Sequence, residues 1–249
     1  GSNTYSGKTT VSAGALSVDS DTRLGTAPTP TAVADQLTLN GGTLAATTDF
    51  TLAATRGVTV GNSDGVINVA TGKTLTYGGV IAGASSSADF TKSGAGVLLL
   101  SGASTYTGAT LVTEGTLRLS NDPAGSLSAS SPMTVSSGAT FDVNLTSSQS
   151  TSIGSIQGSG TISIGAGTLT ASGSTDLTFS GTISGTGGIT KSGSGTLTLS
   201  GANTYSGKTT ITGGAIAITA DNNLGTAPGS VVADQVTLNG GTLLINETF

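Results

Sequence analysis

The chain has 249 residues, 40 of them Gly, with 8 Lys and Arg against 13 Asp and Glu and no Cys, His or Trp. Charged residues make up 8% and aromatic residues 4%, too few for ion-pair networks or aromatic clusters to hold a fold together. The missing Cys and His exclude thiolate chemistry, Cys/His zinc sites and Ser-His-Asp catalysis, and a net charge of −5 with singly scattered cations leaves no basic stripe for nucleic acid or an anionic membrane.

Short runs in which apolar and small polar residues alternate follow one another along the chain: Leu16 and Val18, Leu37 and Leu39, Leu117 and Leu119, Ile162 and Ile164, Leu197 and Leu199, Ile216 and Ile218. Each predicts a short strand with aliphatic side chains on one face and Thr, Ser or Ala on the other. Gly-rich turns such as Asn40-Gly41-Gly42, Ser136-Ser137-Gly138 and Gly185-Thr186-Gly187-Gly188 separate them. A mean hydropathy of +0.19 and a hydrophobic fraction of 35% argue against a flexible linker, because disordered chains combine low hydrophobicity with high net charge. No apolar run reaches the ~18 residues of a membrane-spanning helix, and the first residues lack the charged and apolar regions of a signal peptide. The chain reads as a piece excised from a longer protein.

Repeats set the architecture. Asn3-Thr4-Tyr5-Ser6-Gly7-Lys8-Thr9-Thr10 returns unchanged as residues 203–210, and the match continues through Leu24 to Pro28 against Leu224 to Pro228 and Leu39 to Leu44 against Leu238 to Leu243. A diverged copy surrounds Thr105-Tyr106-Thr107-Gly108, and its approach, Lys92 to Ala103, matches Lys191 to Ala202. The superperiod of roughly 100 residues divides the chain at about 1–92, 93–191 and a truncated 192–249. Strand-like runs every ~10 residues, small aliphatic side chains and few aromatics favour a solenoid over a string of sandwiches. The expectation is one continuous all-β solenoid over residues 1–249, about 12 coils of about 20 residues rising about 4.8 Å each, with Gly at tight corners and Thr in ladders.

The run from Lys191 to Gly207, followed by Thr209-Thr210-Ile211 and Gly214-Ala215-Ile216, resembles the autotransporter-associated β-strand repeat, or passenger-associated transport repeat. Leu39 to Leu44 and Gly78 to Gly83 are similar to stretches that accompany it, whereas Gly154 to Ser174 fits only loosely. The resemblance implies a right-handed parallel β-helix, part of a passenger exported to the cell surface of a Gram-negative bacterium by an outer-membrane β-barrel that this sequence does not contain. The absence of Cys agrees with passage through a pore, since disulfides would bulk the threading chain.

Several motifs invite chemistry. Ser6-Gly7-Lys8-Thr9 and its copy at 206–209 end like a phosphate-binding loop, but Ser2 and Ala202 stand where its first Gly belongs. Asp19 and Asp21 are spaced to face one way on a strand, like paired catalytic acids; only Asp21 recurs, as Asp122 and Asp221, which fits a turn-capping role. Gly61 to Gly65 offers too few oxygens for calcium and reads as a corner. Tyr5, Tyr106 and Tyr205 recur at matched positions and are expected over coil corners with hydroxyls near solvent; Lys92 and Lys191 likewise mark the repeat. These eight residues are structural repeat positions, with no catalytic, cofactor or metal role and no cofactor.

Three functions compete: a non-catalytic surface stalk aiding adhesion and export, an adhesin module binding a glycan or host surface through a Ser/Thr-rich face, and a β-helix hydrolase or lyase. The first is preferred, because polar motifs that recur with the repeat do not build one unique active site. The expected partners are the neighbouring repeats, further copies end to end or side by side, and, in the second reading, a surface glycan presented near Gly154 to Ser174.

Overall fold

The computed structural model describes residues 1–121 and 125–247. Alternation puts one aliphatic residue in two on the inside of each strand, and every paired strand runs parallel to its neighbour one turn away, so the chain is an all-β parallel solenoid. It forms two compact units, residues 1–128 and 129–249.

In the first unit the chain visits three faces in rotation. One face stacks Thr9–Val11, Val33–Leu39, Arg56–Val60 and Ile81–Gly83. The next stacks Ala15–Val18, Thr43–Ala46, Gly65–Val69, Phe90–Ser93 and Thr110–Val112; the third stacks Phe50–Leu52, Thr74–Tyr77, Val97–Leu100 and Thr116–Leu119. In the second unit the longest stack is Met133–Val135, Ile156–Gly158, Leu177–Phe179, Thr196–Leu199, Ala215–Ile218 and Thr242–Ile245. Beside it lie Ser150–Ile153, Thr168–Ala171, Gly188–Lys191, Thr209–Ile211 and Val236–Leu238, and a third stack of Thr140–Leu145, Thr161–Gly165 and Thr182–Ser184. Two short 3-10 turns, Asp21–Leu24 and Asp221–Leu224, occupy matching places in the two units.

Stacks of five and six strands enclose about nine turns, fewer than the 12 expected. A uniform 20 residues per turn is the reason for the overcount: Thr196 pairs with Ala215, but Thr9 pairs with Leu37, because the chain between Val18 and Val33 loops out through the 3-10 turn.

Inside, side chains stack in columns, one being Leu16, Leu44, Ile67, Lys92 and Val112. Outside, Ser152, Thr170, Thr190, Thr210 and Thr237 form a half-exposed hydroxyl ladder, as β-branched residues on a pleated surface favour. Glycines at corners form columns too. A methyl on Gly181 would collide with the carbonyl oxygen of Gly160, and one on Gly201 with that of Gly181, so backbones approach there too closely for any side chain.

Sequence-equivalent strands do not keep to one face. Thr9–Val11 lies on the first face of its unit, whereas its counterpart Thr110–Val112 lies on the second; Ala15–Val18 lies on the second and its counterpart Thr116–Leu119 on the third. The repeat is not a whole number of turns.

Candidate functional site: the repeat positions

Tyr106 and Tyr205 are 1% and 0% exposed, a correction to the expectation of hydroxyls near solvent. Each hydroxyl bonds inside to the threonine four residues on, Tyr106 to Thr110 at 2.6 Å and Tyr205 to Thr209 at 2.7 Å, so the polar tip is satisfied without water. Burial pushes the Tyr205 phenol up to about 12. Tyr5 makes the same bond to Thr9 at 2.9 Å and is 42% exposed.

Lys92 and Lys191 point inward from the same parity as Phe90 and Ile189, in the middle of aliphatic columns. The Lys92 stem packs between Ile67 and Val112, and Nζ donates to the carbonyl oxygens of Ser93, Gly94 and Glu114 at 2.9, 2.7 and 3.1 Å. Lys191 Nζ donates to the carbonyls of Gly193 and Gly173. Burial holds both ammonium groups below the usual lysine range, Lys92 at about 8, with the Glu114 charge opposing the shift. Each lysine thus ties its own corner to an adjacent turn.

Asp21 accepts the backbone N–H of Ala53 at 3.1 Å and the guanidinium of Arg56 through both carboxylate oxygens, at 3.1 Å each. Arg56 is fully buried and also donates to the carbonyls of Leu24 and Gly25 at 2.7 and 3.0 Å. Its own carbonyl accepts the Tyr77 hydroxyl at 2.8 Å. Sequence reading missed Arg56, although the alternation Arg56, Val58, Val60 places it on the inward face. Asp221 is exposed, and Asp122 lies outside the described residues. In the third copy the capping passes to Asn223, whose Oδ1 accepts the N–H groups of Thr219 and Ala220.

The other motifs resolve into structure. Asp19 turns to Arg23, bonding Nε at 2.5 Å and Nη2 at 2.7 Å, which holds its carboxyl down to about 2. Asp19 and Asp21 therefore do not face one way; the strand ends at Val18 and the 3-10 turn redirects Asp21 to Arg56. Lys8 and Lys208 pair with Asp35 and Asp234. At the Gly61–Gly65 corner, Asp64 in left-handed backbone (φ 65°) accepts the N–H of Asp89 at 2.9 Å, and Asp89 in turn accepts that of Ala109 at 2.6 Å. Among the described residues no cluster of three or more acidic groups could hold a metal ion.

Gly154 to Ser174 holds strands in the same parallel register as their neighbours, Ile162 beside Ile183 and Leu169 beside Ile189. Its departure from the repeat lies in the corners, where Pro132, Ser155, Ser172 and Thr175 border a concavity of about 370 Å³. A wider groove of about 780 Å³ runs over Thr134, Gln157, Asp176, Thr178 and Thr198.

A family model described as the passenger-associated transport repeat matches residues 1–18, 90–119 and 189–218. Those spans contain Tyr5, Tyr106 and Tyr205 and the buried Lys92 and Lys191. The adhesin BmaC autotransporter of Brucella suis biovar 1 (strain 1330) is 39% identical over 128 residues, which is 51% of this chain and 3% of that protein. The chain thus spans a small fraction of the length of the curated relative it matches. No solved structure matches it. Three stretches of this parallel β-solenoid are thus similar to the passenger-associated transport repeat.

Proposed function

We propose that the chain is a non-catalytic structural segment of an autotransporter passenger, a surface stalk that supports adhesion and whose turn-by-turn folding outside the cell assists export. One observation carries the reading: within each unit every turn bonds in parallel register to the one before, so a folded turn presents the edge on which the next can pair. The recurring Lys92 and Lys191, like Arg56 and Asp89, are bonded to corner backbone, which suits a segment built for length. The relative's name supports adhesion as a property of a larger passenger.

The test is surface display. The chain is placed in a passenger ahead of a translocating barrel, and arrival of an upstream tag outside the cell is timed. Gly181→Val, which blocks stacking at one corner, is expected to slow arrival several-fold, and Thr170→Ser on the outer ladder to leave it unchanged. Equal arrival with a segment shown to be unfolded overturns the export role. A second reading, an adhesin face, is favoured by the non-repeating corners at Pro132, Ser155, Ser172 and Thr175. Saturable glycan binding lost on changing those residues would select it.

A further inference from the structure

The open layer of the second unit differs from its sequence counterpart in the first. Residues 203–249 repeat 3–50 with one residue fewer after Pro228, so Val236, Leu238 and Ile245 correspond to Leu37, Leu39 and Ala46. In the first unit those three are 0%, 0% and 1% exposed, because Val58, Val60 and Val69 of the next turn lie beside them in register. Val236, Leu238 and Ile245 are 39%, 57% and 60% exposed.

The second observation concerns charge. Asp21–Leu24 and Asp221–Leu224 are the same 3-10 turn, ending on Gly25 (φ 75°, ψ −170°) and Gly225 (φ 90°, ψ −162°). In the first unit this turn is a cradle: one carboxylate and two carbonyls converge on the Arg56 guanidinium, which the next turn supplies. In the second unit the same groups are Asp221, Leu224 and Gly225, and no described residue bonds the Asp221 carboxylate, which is exposed.

We propose that this end is a docking surface for one further solenoid turn carrying an arginine, with the chemistry of residues 51–69. The guanidinium seats between the Asp221 carboxylate and the Leu224 and Gly225 carbonyls, and the alternate aliphatics that follow it cover Val236, Leu238 and Ile245. A planar fork with several N–H donors reaches a carboxylate and two carbonyls together, whereas an ammonium is a point donor. The first turn of a second copy fits poorly: with Thr9 set beside Val236, as Val58 sits beside Leu37, Gly7 stands where the arginine belongs.

The experiment extends the chain after Phe249 with its own residues 51–83, which continues the repeat in phase, and follows amide hydrogen exchange at Val236–Ile245 together with light scattering. Extension is expected to slow exchange there roughly tenfold or more. Alanine or lysine at the grafted counterpart of Arg56, and Asp221→Asn in the extended chain, are each expected to return most of that protection while the first unit keeps its own. A graft that stays disordered on a folded host overturns the proposal, as does an alanine graft that protects as well as the arginine one. Concentration-dependent protection of Val236–Ile245 in the unextended chain overturns it too, by making a second copy the occupant.

Discussion

Arg56 shows how much one side chain can organise in a chain with so few charges. Fully buried, it is tolerable only because every face of its guanidinium meets an oxygen. Asp21→Ala leaves that charge without its counter-ion and is expected to destabilise the first unit by about 3 kcal/mol in chemical denaturation. Arg23→Ala, which breaks the exposed pair with Asp19, is expected to leave the midpoint unmoved. Lys92 gives a pH signature. Its folded value of about 8 lies below the unfolded one near 10.5, so between these the unfolded chain holds the extra proton and stability rises with pH. A gain on the order of 2 kcal/mol from pH 8 to 10, absent in Lys92→Met, is expected in melts of the first unit. An unchanged slope in the variant would assign the effect elsewhere. The inward placement of both residues was legible in parity with Val58 and Phe90. Their oxygen partners were not, because those are backbone carbonyls and a carboxylate brought near by turn-to-turn stacking.

At the scale of the element, strands were the easy part. Leu16 with Val18, Ile162 with Ile164 and Ile216 with Ile218 fall within the strands that alternation predicts, since a period of two survives any tertiary context that buries one face. Turn length was harder to see: the excursion from Asp19 to Ala32 and the three-residue corner Thr212-Gly213-Gly214 are both rich in turn formers, and only stacking tells how much chain a turn consumes. The glycine corners define the tightest tolerance. Gly181→Ala is expected to lower stability by about 1–3 kcal/mol, because the added methyl must displace the Gly160 backbone rather than a flexible side chain. Gly138→Ala, with nothing near its absent side chain, tests backbone strain alone, as its φ of 79° is left-handed.

At the scale of the whole molecule, strands pair only with those of adjacent turns, so stability is largely a sum of local terms and nearest-neighbour interfaces. Loss of hydrogen-exchange protection from Gly181→Ala is accordingly expected in Gly160 to Gly201 and not in Val11 to Val69; uniform loss would mean that the solenoid melts as one cooperative block. Recurrence of residues 3–10 as 203–210 made a repeat architecture readable, and strand-like runs every ~10 residues with few aromatics singled out the solenoid. It could not reveal that equivalent strands occupy different faces, since a sequence period carries no angular information until the residues per turn are known.

That angular drift matters for crowding. Were the repeat a whole number of turns, identical outer side chains would line up into one continuous seam, and molecules packed side by side could zip along it. Moving Thr9–Val11 and Thr110–Val112 to different faces breaks the seam into patches that no single straight contact can collect. Within the first unit, a strand and its copy one repeat on therefore do not present the same face.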